Sequence, residues 1–214
     1  MKKFAFITLF TYFLISFDAL SDDGHETLFG GDSVTWGGFG APEFKFSEVN
    51  GDFALYIGGR GGVIINNSFI IGLAGYGVVT SHELEDYHIS GYADSSAYLR
   101  VGYGGLYLGY TINPHKVVHI TTGLIIGGGG ALYTRAYAHH DHDEDYRDRQ
   151  KFTYESSPFM IIEPSIGAEL NITKFMRFEV GASYKLVSYL ELPVTENSDI
   201  SGLSGYITFK FGKF

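Results

Sequence analysis

Seven consecutive residues, His139, His140, Asp141, His142, Asp143, Glu144 and Asp145, carry groups that can ligate a metal. Imidazole and carboxylate together suit zinc, copper or nickel. A second group, His82, Glu83, Asp86 and His88, is placed to share the same rim. A metal centre also needs fixed geometry and neighbours that orient its ligands. Adjacent ligands in one hydrophilic run do not supply that. The expectation is a solvated surface loop. The metal chemistry it offers is weak divalent binding through His139, His140, His142 and Asp143, with no resident cofactor.

Other groups invite a chemical reading and lose it on inspection. His88 and Ser90 are the one close His/Ser pair at strand-like spacing in a loop region. Hydrolysis by a serine would need a carboxylate within reach as well. No serine stands in a strand-to-helix nucleophile motif. The clusters Gly58-Gly59-Arg60-Gly61-Gly62 and Gly127 to Gly130 look like phosphate loops. A phosphate cradle needs a following helix, and no helical pattern follows either cluster. They read as thin strand walls with close backbone approach or sharp curvature.

The remaining charges are ordered by a period of two. In residues 160–172, Ile162, Ile166, Ala168, Leu170 and Ile172 alternate with Glu163, Ser165, Glu169 and Asn171. After Thr173-Lys174 the pattern resumes. Met176, Phe178, Val180, Ala182, Tyr184 and Leu186 alternate with Arg177, Glu179, Ser183 and Lys185. This is the repeat of a strand, not of a helix. Each run is near the ~9–11 residues that a membrane-crossing strand needs. In a soluble sheet the apolar face would be the core. In a membrane barrel it would meet lipid, and the charges would line the interior.

Six further strands are expected over residues 33–46, 53–65, 69–79, 95–112, 117–137 and 201–214. Pro42 and Pro164 each lack an N–H and imply a local irregularity. Around Gly104-Gly105 the apolar parity shifts, which predicts a bulge. Asn50-Gly51, Asn66-Asn67 and Asn113-Pro114-His115 are turn signals. Short connections alternate with polar ones near residues 82–92, 138–156 and 191–200. Tyr92, Trp36, Phe46, Tyr137, Tyr189 and Phe175 lie near strand ends, as interfacial aromatic girdles do.

Composition agrees with a β wall. The chain has 214 residues, enough for one domain with a sizeable interior. It holds 29 Gly, 16 Tyr and 18 Phe, and aromatic residues favour strands. It has no cysteine, which excludes disulfides and thiolate metal sites. A net charge of −9 argues against nucleic acid, because phosphate binding needs a basic surface. Residues 1–21 read as a secretory signal. Lys2 and Lys3 precede an apolar run from Phe4 to Phe17, and Ala19-Leu20-Ser21 fits a cleavage site. Residues 22–32 read as an N-terminal tail, and residues 33–214 as the barrel domain.

An even strand count, alternating loops and turns, and an aromatic end after a secretion signal resemble a Gram-negative outer-membrane barrel. The chain after Asp32 is similar to the small eight-stranded barrels of the OmpA, OmpX and OmpW type, in the porin-like group. Its last ten residues, Gly205 to Phe214, are similar to the C-terminal signal read by barrel-assembly machinery. In that signal the last aromatic residue keeps the apolar parity. Here Phe214 shares the parity of Thr208 and Lys210, so either a kink at Gly212 or a different signal is expected.

The resemblance implies an all-β, eight-stranded antiparallel up-and-down transmembrane barrel in the outer membrane. Its partners would be outer-membrane lipid and the assembly machinery, with the extracellular partner open. With the polar face turned inward, the lumen would hold Glu43, Lys45, Arg60, Arg100, His119, Arg135, Glu163, Glu169, Arg177, Glu179 and Lys185. Small barrels are filled by their own side chains. The expected function is therefore structural or surface-interacting and non-enzymatic, with a lumen plugged by paired charges. Two alternatives stand beside it: a lipid-modifying barrel enzyme, and a soluble secreted β-barrel that binds a small apolar ligand.

Overall fold

A computed structural model describes residues 34–84, 97–135 and 153–214. Nine strands follow in order: β1 (Trp36–Val49), β2 (Asp52–Ile65), β3 (Phe69–Val78), β4 (His82–Leu84), β5 (Ala97–Ile112), β6 (Val118–Arg135), β7 (Thr153–Asn171), β8 (Met176–Ser188) and β9 (Gly202–Lys213). A single helical turn, α1 (Asn197–Ile200), precedes β9. Every wall strand pairs antiparallel with its chain neighbours, β9 pairs with β1, and β3 pairs with β5. The result is the closed eight-stranded up-and-down barrel that the resemblance implied. The short β4 is a spur paired to the loop end of β5.

The turns follow from side-chain chemistry. Asn50, Asn66, Asn67, Asn113 and Gly51 all have positive φ, which asparagine and glycine tolerate best. Asn66 Oδ1 also accepts from the Thr35 amide, and Asn67 Oδ1 accepts from the Thr35 hydroxyl at 2.7 Å. These bonds fasten the start of the wall to the β2–β3 turn.

The two prolines interrupt ladders without shifting them. Pairing of β1 with β9 runs from Gly40–Phe211 to Glu43–Thr208, omitting Ala41 and Pro42. Pairing of β7 with β8 omits Glu163 and Pro164 in the same way. The expected bulge at Gly104-Gly105 is not there. β5 keeps one register against β3 and β6 through that point. The apolar residues change sides instead. Leu99, Val101 and Tyr103 point inward near the loop end, whereas Leu106 and Tyr110 point outward further along. An irregularity does occur in the β6–β7 pairing, between Tyr133 and Thr134.

The glycine clusters lie in strands β2 and β6. Gly62 pairs with Gly72, and Gly105 with Gly127. A Cβ on Gly62 would stand 2.6 Å from Gly72 Cα, and one on Gly105 would stand 2.6 Å from Gly127 Cα. The backbones therefore stand close at these pairs, where an added side chain would collide with the neighbouring strand.

Each of the eight wall strands turns a large apolar side chain outward. Phe44, Ile57, Leu73, Leu106, Ile126, Ile166, Val180 and Leu203 are examples, one per strand, and all are exposed. Among the residues expected at girdles, Trp36 and Phe175 are exposed at the turn end, and Phe46 and Tyr189 at the loop end. Tyr92 and Tyr137 lie outside the described residues.

The inward face has three tiers. At the turn end Phe39, Ile64 and Ile70 are buried, with Phe214 packed against them. At the loop end Val49, Leu99, Ile161, Val187 and Ile200 form an apolar layer. Buried charges occupy the space between.

Candidate functional site

The charged tier joins neighbouring strands and also strands that share no ladder, β1 with β7, β2 with β8 and β9 with β7. Lys45 on β1 places Nζ 2.8 Å from Glu163 Oε1 on β7. Glu163 also accepts from Tyr103 Oη at 2.8 Å and Ser183 Oγ at 2.6 Å. Arg60 on β2 bridges Glu43 (Nε, 3.0 Å) and Glu179 on β8 (Nη2, 2.9 Å). Lys210 on β9 pairs with Glu169 and, at 2.5 Å, with Glu179. Arg177 Nη1 lies 2.9 Å from Glu169 Oε1, and His119 Nε2 lies 2.8 Å from the same oxygen.

Hydroxyl groups supply further donors. Thr208 Oγ1 donates to Glu43 at 2.6 Å. Thr121 Oγ1 and Tyr206 Oη donate to Glu179 Oε1 at 2.8 and 2.7 Å. Arg60 lies over the rings of Tyr107 and Tyr206, with Cζ 5.0 and 5.2 Å from their centroids. Each of the four buried carboxylates thus meets at least one cation and one further donor. A chain of this kind is self-neutralising, and in a low dielectric its bonds reinforce one another.

Phe214 settles the parity question raised by the C-terminus. Its ring packs toward the lumen, 6.5 Å from that of Phe39, and Arg177 Cζ stands 4.0 Å from its centroid. The last aromatic residue therefore covers the charged tier from the turn end.

At the loop end the segment between β8 and β9 forms a strap. The sequence marks residues 191–200 as a polar loop, yet within it Thr195 and Ile200 are buried, as is Leu190 just before it. Tyr133 Oη and Thr195 Oγ1 are hydrogen-bonded at 2.8 Å. The Glu191 amide donates to Ser157 Oγ at 2.8 Å, and the Asn50 amide donates to Asp199 O at 2.8 Å. Asp199 Oδ2 in turn accepts from the Glu196 amide at 2.7 Å, which holds α1 in place.

Of the residues expected in the lumen, Glu43, Lys45, Arg60, His119, Glu163, Glu169, Arg177, Glu179 and Lys185 are buried there. Arg100 is a correction. It stands between the buried Leu99 and Val101 and so belongs to the outer face. The loop end of β5 is apolar inside, so the polar parity points outward there. Arg135 ends β6, with its backbone paired to Ala97. The lumen also holds Lys210, Thr208, Thr121 and the tyrosines at 103, 107 and 206, which the polar-face assignment leaves out. Lys210 was legible, since it shares the parity of Thr208 within the alternating run of β9.

The metal candidates His139, His140, His142 and Asp143 lie outside the described residues, as do Asp86, His88 and Ser90. His82 and Glu83 fall on opposite faces of β4, one buried and one exposed. His82 Nε2 is engaged with Thr80 Oγ1 at 2.8 Å. Burial holds its imidazole below the usual histidine range, against the opposing pull of Asp52. Among the described residues no cluster of His, Asp or Glu has the arrangement of a metal site.

No protein-family model and no curated protein matches the chain. Solved structures do. The chain is similar to the N-terminal β-barrel domain of Pseudomonas aeruginosa OprF, at 9% identity and a TM-score of 0.46, over 82% of this chain and 96% of that one. It is similar to Neisserial surface protein A, at 9% identity and 0.43, over 86% and 100%. Ail, the attachment invasion locus protein of Yersinia pestis, gives 11% identity and 0.44, over 84% and 98%. In each case the likeness is one of fold.

Proposed function

We propose that this chain is an outer-membrane barrel with a structural or surface-interaction role, no catalysis and a lumen closed by its own charges. The carrying observation is the inversion of the wall. All eight wall strands expose large apolar side chains, while four carboxylates and five cations are buried inside. In water such a surface would be a very large exposed apolar patch. Against lipid it is the expected outer face. Among the described residues the eight wall strands close on themselves through the β9–β1 and β3–β5 pairings, as a hydrocarbon environment demands.

Closure of the lumen is supported by the ion pairs between non-adjacent strands, with Phe214 below them and the strap above. Absence of catalysis is supported by the same pairs, because each buried carboxylate is already engaged by donors. On this reading residues 1–21 direct export, outer-membrane lipid surrounds the wall, and barrel-assembly machinery inserts it. The loops supply the surface that meets partners.

Fractionation followed by gel mobility, boiled against unboiled, tests the reading. An outer-membrane band that shifts on boiling is expected. A soluble periplasmic protein with no shift would overturn it. Purified protein in planar bilayers should carry no steady current, and a stable open channel would refute the closed lumen.

A further inference from the structure

Among the described residues the buried interior holds five cations, Lys45, Arg60, Arg177, Lys185 and Lys210, and four carboxylates, Glu43, Glu163, Glu169 and Glu179. Four of the cations are in ion pairs. Lys185 differs from them. It is 0% exposed, and its Nζ has no hydrogen-bond partner among the described residues. Glu163 stands opposite it, one step beyond the Ile162–Leu186 pair of the β7–β8 ladder. That carboxylate is committed elsewhere, to Lys45, Tyr103 and Ser183.

Lys185 Nζ lies instead 4.1 Å from the ring centroid of Tyr56. Tyr56 is also 0% exposed, and its hydroxyl likewise has no hydrogen-bond partner among the described residues. An ammonium can only donate, and a phenol has an O–H to donate besides an oxygen that accepts. A ring face attracts a cation but does not neutralise it. A buried ammonium without a counter-charge is strongly disfavoured. The ammonium therefore lacks an acceptor bearing negative charge, and the neighbouring phenol O–H lacks an acceptor that the same group could supply. That charge would also balance the five cations against the four carboxylates.

We propose that Lys185 and Tyr56 bind a small monovalent anion, a halide or a carboxylate of formate size, between the charged tier and the loop-end apolar layer. A divalent anion would overshoot the balance.

The test uses the full chain refolded in detergent micelles. The melting temperature is followed by near-ultraviolet circular dichroism in sodium bromide, sodium formate and sodium gluconate at equal ionic strength. Bromide should raise it by about 2–4 °C once present at about five times its dissociation constant. Gluconate, too large for the site, should not. Lys185→Met should abolish the bromide effect, and Tyr56→Phe, which keeps the ring, should reduce it. Crystals grown in bromide should show an anomalous peak beside Lys185 Nζ. A rise in formate as well identifies a site that accepts carboxylates; a rise in bromide alone identifies a halide site. Equal melting in bromide and gluconate with no anomalous peak would overturn the proposal, leaving Lys185 buried as the neutral amine. An undiminished bromide effect in Lys185→Met would overturn it too. If Lys185→Met does not fold, Tyr56→Phe and the anomalous map decide.

Discussion

Lys45 Nζ lies 2.8 Å from Glu163 Oε1, although β1 and β7 are not ladder neighbours. The bond crosses the lumen and ties two parts of the wall that share no backbone pairing. Removing one partner of a buried pair leaves an uncompensated charge, at a cost of about 3–5 kcal/mol where the site is dry. Glu163→Leu should therefore lower the urea midpoint strongly. Lys45→Met combined with Glu163→Leu should recover most of the loss. Equal destabilisation by the single and the double substitution would show that the pair is not coupled.

Arg177 joins Glu169 at 2.9 Å to the ring of Phe214, with Cζ 4.0 Å from its centroid. Arg177→Ala should lower the melting temperature without opening a conductance, because Arg60 and Lys210 still fill the charged tier. Planar-bilayer recording supplies the second half of this prediction. A large new current would show that Arg177 by itself holds the lumen shut.

Glycine tolerance should depend on which face a new methyl group enters. At Gly181 a Cβ would lie 2.5 Å from the Tyr206 hydroxyl, which itself donates to Glu179 at 2.7 Å. Overpacking of this kind costs about 1–3 kcal/mol. At Gly205 a Cβ meets nothing within 4 Å. Gly181→Ala should thus be destabilising in urea titrations and Gly205→Ala close to neutral. Equal behaviour of the two would contradict the packing of Tyr206 against β8.

Leu73 is 69% exposed at the middle of β3. An arginine on the lipid face near the bilayer midplane costs about 2–4 kcal/mol. Leu73→Arg should lose roughly that much stability when unfolding is measured from phospholipid vesicles. A loss near zero would place Leu73 in water and would undo the membrane reading.

Much of the wall was legible in the amino-acid order. Alternation of Ile162, Ile166 and Leu170 with Glu163 and Glu169 reports a strand because side chains on a strand point alternately to two faces. Asparagine and glycine report turns because they accept positive φ. These are local properties, and they were enough to place seven of the eight wall strands to within about three residues; β7 begins at Thr153, well before the run read from residue 160. They were not enough to say which face is inside at every height. Arg100 shows why. Alternation defines two faces but not their surroundings, and the surroundings of β5 change along its length. Near Leu99 the apolar side packs inward beneath the strap; near Leu106 it faces outward. A sequence reads that reversal as a bulge.

Most partners of the buried charges were beyond local reading. Glu169 with Arg177 was visible because one tight hairpin joins β7 to β8. Lys45 with Glu163, and Arg60 with Glu179, depend on closure of the sheet through the β3–β5 and β9–β1 pairings. Closure brings together residues more than a hundred positions apart, and no periodicity records that distance. Lys185 without an ion pair, Phe214 turned inward over Arg177, and the buried Ile200 of the strap are facts of the same kind. The order of residues determined strands, turns and the two-faced wall. Only the closed barrel decided which charges meet, because that depends on curvature and shear of the whole sheet.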